Sequence, residues 1–206
     1  MTPKTKPFVI SCSVLKNELR ELTKTGKLDA DLSFYSMELH SDYDVLEKDL
    51  RRRIEKSRAQ SKKPVVVVTG DYCLGPEDAA KKLISELTVV KVDALNCIDC
   101  LFGGKGRFTA IDPEGQRLFL SPGWISYFYD KLKKAKDSEY EENFRNLFKG
   151  LEGIVLLDTL GDLNNYTAEI EALSVFTRLP ILETKKVGLE KLRDLILEAA
   201  NRRTAK

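Results

Sequence analysis

Two cysteines three positions apart, Cys97 and Cys100, stand between a short apolar run and a glycine loop in Asp93-Ala-Leu-Asn-Cys-Ile-Asp-Cys-Leu-Phe-Gly-Gly-Lys-Gly106. Thiols at that spacing can hold a metal or cluster or act as a redox pair, and otherwise they are small residues filling space. The chain has two more cysteines, Cys12 and Cys73, and one histidine, His40. Cys12 ends a predicted strand and each of the other four follows one, and in a parallel sheet such connections converge on one edge, where ligands bind. Sulfur donors and one imidazole on a shared edge suit zinc or an iron–sulfur cluster, with Cys12, Cys73 and Cys100 as ligands. Three protein ligands would leave a coordination position open for substrate. Cys97 is a fourth ligand, a resolving thiol or packing, and His40 is a ligand or bonds to backbone.

Cys12, with Ser13, stands at a predicted helix start, where backbone N–H groups favour a thiolate. Cys73 sits between glycines in Thr69-Gly-Asp-Tyr-Cys-Leu-Gly75, ahead of another helix. Gly70 and Asp71 in that loop, and Gly103 and Gly104 in Gly103-Gly-Lys-Gly106, are the candidate cofactor-binding positions. The second loop could offer N–H groups to a phosphate, but it lacks P-loop spacing, and a flexible turn is the simpler reading. Asp71, Asp99 and Asp158 are acid–base or orienting candidates, or caps and turn residues. Arg51, Arg52, Arg53, Lys56 and Arg58 are interleaved with Asp49 and Glu55, the pattern of a solvated helix face.

The elements that must position these residues alternate. Residues 8–12 read as a buried strand, and Leu15, Leu19 and Leu22 recur at helical spacing behind it. Residues 32–37 alternate as a second strand. Ser41 is placed to cap a helix with Leu46, Leu50 and Ile54 on its face. Val65-Val-Val-Val68 has the β-branched run of a strand buried on both faces. Gly75-Pro76 opens a helix with Ala79, Ala80, Leu83 and Leu87 inward, and residues 89–92 form a fourth strand. Further on, residues 117–120 are a short strand, and Ser121-Pro122 starts an aromatic helix in which Trp124 packs. A charged stretch over residues 131–142 covers the outside before Phe144, Leu147 and Phe148 return to the core. Strands over 154–157 and 179–182 and a final helix with Leu189, Leu192 and Ile196 complete the alternation. The string predicts an α/β fold, a three-layer, mostly parallel Rossmann-like sheet with helices on both faces. It is read as a single domain over residues 1–206: β-α repeats over 8–106, a less regular helical segment over 107–150, and a closing β-α-β-α over 151–202.

Composition bounds the function. The chain has 206 residues, 42% hydrophobic and 32% charged, and 34 basic against 32 acidic residues leave a net charge of only +2. That balance gives no electrostatic reason for nucleic-acid binding, and no apolar run reaches the about 20 residues a membrane helix needs. The start of the chain lacks the pattern of a signal peptide, so a reducing cytoplasm and free thiols are expected.

With these residues in view, the chain resembles the family named domain of unknown function 1638. The likeness rests on Val68-Thr-Gly-Asp-Tyr-Cys-Leu-Gly75, on Val92 through Gly106 with its Cys97 and Cys100, and on Phe119-Leu-Ser-Pro-Gly-Trp124. Cys12 before a helix and Leu39-His40 before another agree with it. Many relatives carry a Gly-Leu-Cys-Gly-type loop and a His-Asp-Cys triplet; here the loop is Asp-Tyr-Cys-Leu-Gly and the triplet is Ile98-Asp99-Cys100. The resemblance implies anaerobic one-carbon metabolism, with a corrinoid protein or methyltransferase as partner, and assigns no substrate. The alternatives are a metal-free thiol enzyme using Cys12 or Cys100, and a non-catalytic binding module for a methyltransferase or corrinoid protein, using the edge loops and the segment near Trp124.

Overall fold

The structure, a computed structural model, describes residues 6–60, 63–75, 79–134 and 138–204. The chain divides into two compact units, one of residues 1–108 with 189–206 and one of residues 109–188. Each is α/β, with an all-parallel sheet and helices around it.

In the first unit β1 (Phe8–Cys12), α1 (Lys16–Lys24), β2 (Asp31–Tyr35), α2 (Tyr43–Gln60), β3 (Val65–Val68), α3 (Ala79–Glu86), β4 (Val90–Lys91) and α4 (Cys97–Phe102) follow in order, and the short α5 (Arg107–Ile111) leads out of it. The strands lie in the order β2-β1-β3-β4. β3 is central and all four of its valines are fully buried, as its β-branched run predicts. Leu19 and Leu22 of α1, and Leu46, Leu50 and Ile54 of α2, are the apolar stripes that cover the sheet. Asp42, not Ser41, caps α2: its Oδ1 accepts the Asp44 and Val45 N–H groups, both at 3.1 Å. The second strand ends at Tyr35, two residues earlier than the alternation suggests, because Ser36 caps a 3-10 turn over Met37–Ser41. Pro76 and residues 77–78 lie outside the described residues, as does the Ala80 side chain, while Leu83 and Leu87 are buried as expected.

The second unit contains β5 (Arg117–Leu120), α6 (Pro122–Lys134), α7 (Ser138–Asn146), β6 (Gly153–Asp158), α8 (Thr167–Thr177) and β7 (Ile181–Lys186), with strand order β5-β6-β7. Its core joins Leu120, Ile125, Phe144, Phe148, Ile154 and Phe176, with Trp124 stacked on Phe128 at 5.1 Å. Leu147 does not return to this core. It is 70% exposed, because α7 has ended one residue earlier and the chain turns there. The last strand runs through Glu183-Thr-Lys-Lys186 rather than ending at Leu182, and as an exposed edge strand it has no apolar face to betray it. The final helix, α9 (Glu190–Thr204), belongs to the first unit, where it packs on β3, β4 and α4 with Leu192, Ile196, Ala199 and Ala200 buried. No described helix is long and apolar enough to cross a membrane.

Candidate functional site

The order β2-β1-β3-β4 has a topological switch point between β1 and β3, since the chain leaves β1 for β2 and returns past it to β3. The crevice beyond the carboxyl ends of those two strands is where such sheets bind ligands. Cys12 ends β1, and Cys73 lies in the 3-10 turn Asp71–Leu74 that follows β3. Cys97 and Cys100 stand on the short helix α4, whose cap is Asn96: its side chain accepts the Asp99 N–H at 2.8 Å. Three connections therefore deliver the four thiols to one edge.

Cys73 is the common neighbour, near enough to Cys12 and Cys100 that a thiolate on it would oppose ionisation of either. Burial pushes the Cys12 thiol up to about 12; the Val14 and Ser13 amides pull the other way and do not prevail. The thiolate expected at this helix start is thus not favoured, and a 3-10 turn, Ser13–Leu15, separates Cys12 from α1. Burial also pushes Cys100 up to about 12 and raises Cys73. Cys12 meets the Met37 thioether, Sγ to Sδ 3.6 Å. Tyr35, wholly buried, has its hydroxyl donating to Thr69 Oγ1 at 2.9 Å, and burial keeps its phenol protonated. His40 lies beside it, ring centroids 5.9 Å apart, and its Nδ1 is 2.9 Å from the Met37 carbonyl oxygen. Burial lowers the His40 pKa, so its imidazole is neutral at pH 7.

The sulfur donors suit a thiophilic ion, but their arrangement does not form a ready site: among the described residues, no three His, Cys, Asp or Glu side chains are grouped to hold a metal ion.

The charged centre of this edge is Lys91, which sequence reasoning missed. Its Nζ donates to the carbonyls of Val92 (2.7 Å), Thr69 (3.2 Å) and Ala94 (3.2 Å) and pairs with Asp71 at 2.9 Å. A lysine inside the apolar run Val89-Val-Lys-Val92 was the available signal, since a charge on a buried strand requires partners. Burial pushes the Asp71 carboxyl up, but Lys91 and Lys105 outweigh it and hold it below the usual carboxylate range.

The glycine positions have structural tasks. A Cβ on Gly70 would lie 2.2 Å from the Leu95 carbonyl oxygen, because the Asp71 and Tyr72 N–H groups donate to Ala94 and Leu95 and zip the two loops together. In the second loop the N–H groups of Gly103 and Gly104 go to the Asp99 carbonyl, that of Lys105 to the Asp93 carbonyl, and that of Gly106 to the Asp99 carboxylate. None of these four is left for a phosphate. Asp99, fully buried, also accepts from Leu95 (3.0 Å) and Phe108 (2.7 Å), so it organises the loop. In the second unit Asp158 accepts the Gly161 N–H at 2.7 Å, a turn contact.

No curated protein and no solved structure matches the chain. A family model does, over residues 34–196, a span that includes His40, Cys73, Cys97 and Cys100. The chain belongs to the family described as Protein of unknown function (DUF1638).

Proposed function

We propose that the carboxyl edge of the first sheet takes up zinc or an iron–sulfur cluster on Cys12, Cys73 and Cys100, with Cys97 and His40 as further ligands, in a cytoplasmic protein serving corrinoid-linked methyl transfer. The observation that carries this reading is the convergence of thiols from three connections on one edge of a parallel sheet. Their raised pKa values favour it over a metal-free nucleophile, because a buried thiol near 12 is protonated at neutral pH until a cation displaces the proton. Uptake requires side chains to turn, Cys12 leaving Met37 among them. A bound zinc would supply Lewis acidity, and a cluster would supply electrons. The corrinoid link rests on the family resemblance. Tyr72, 67% exposed beside Cys73, and the exposed Tyr43 and Val45 offer apolar surface to a protein partner.

Purification without oxygen, followed by iron, zinc, cobalt and sulfide analysis, tests the reading. Stoichiometric zinc, or iron with sulfide, is expected, and Cys73→Ser should lose it. Undiminished metal in that variant, or no uptake on reconstitution of the parent, refutes the proposal.

A further inference from the structure

Away from the thiols, a cavity of about 250 Å³ opens between the first sheet and α2. It is lined by Phe8, Leu32 and Ser33 of the strands and by Arg52, Arg53, Lys56 and Ser57 of the helix. The basic residues here are more than a solvated face. The Arg53 side chain is only 25% exposed and is held from two sides, donating to Asp49 at 2.5 Å and to Ser33 Oγ at 2.9 Å. Arg52 pairs with the same Asp49 carboxylate. Three cations against one carboxylate leave the cavity positive.

Ser57 lines the same cavity; it is 1% exposed, and its Oγ has no hydrogen-bond partner. A buried hydroxyl left unpaired is costly unless a ligand completes it.

We infer that this cavity binds a phosphate group carried on a small monoester. Hydroxyls and cations approaching from the strands and the helix suit a tetrahedral oxyanion, and Phe8 and Leu32 provide an apolar wall for the esterified part. The volume is below the usual range for small-molecule sites, which limits the ligand to a few carbon atoms.

Isothermal titration of the full chain with glycerol 3-phosphate and with inorganic phosphate, at constant ionic strength, tests this. Saturable one-to-one binding is expected, weakened about fivefold or more in Arg52→Gln, Lys56→Gln and Ser57→Ala. Ser57→Ala should not lower the melting temperature, since its hydroxyl has no internal bond to lose. Tighter binding of glycerol 3-phosphate than of phosphate assigns a monoester; equal or weaker binding overturns the monoester. No saturable binding of either probe, or binding unchanged in all three variants, overturns the site.

Discussion

Replacing Lys91 with methionine deletes Nζ while keeping most of the apolar stem. Three carbonyls and Asp71 lose a charged donor at a position where the side chain is only 12% exposed. Removing one partner of a buried ion pair costs about 3–5 kcal/mol. For a chain of this length each kcal/mol lowers the melting temperature by about 2–4 °C, so the variant should melt roughly 6–20 °C lower. Lys105→Met is the control, because Lys105 reaches the same Asp71 at 3.2 Å from a half-exposed position and should leave melting nearly unchanged. Thermal denaturation followed by circular dichroism compares the two. Equal melting of Lys91→Met and Lys105→Met would refute the assignment of Lys91 as the centre of this edge.

Two other outcomes are expected. Asp99→Asn replaces an acceptor of three backbone N–H groups with a side chain that opposes donors to donors, so it should cost about 2–4 kcal/mol and speed amide exchange at Leu95, Gly106 and Phe108; unchanged exchange at those amides would contradict the role given to this carboxylate. Iodoacetamide should alkylate Cys12 and Cys100 slowly at pH 7 and faster as pH rises, because a raised pKa leaves only about one thiol in ten thousand ionised at pH 8; rapid alkylation of the folded, metal-free chain at pH 7 would show that burial does not govern these thiols.

The strands β1, β3 and β6 are legible in the sequence because β-branched and aliphatic runs mark strands buried on both faces. The gathering of the cysteines is legible for a related reason: parallel strands joined by helices must place every βα connection on one edge. Pairing is not. Nothing in the alternation says that β5, β6 and β7 form their own sheet, since each strand carries the same local pattern whichever neighbour it bonds. The ionisation of Cys12 is misread from sequence because a helix start is local and visible, whereas burial comes from distant residues such as Met37. Asp99 looks like an ordinary turn acid, and its three amide partners emerge only once Leu95, Gly106 and Phe108 are brought around it.

The placement of α9 bears on how the protein is made. Leu192, Ile196, Ala199 and Ala200 close the first core against β3 and β4, yet they are translated after the whole of residues 109–188. At ribosomal speed that interval is on the order of ten seconds. During it the nascent first sheet lacks one of its covering helices. Newly made cysteines on α4, which α9 later covers, spend that time without their final shelter.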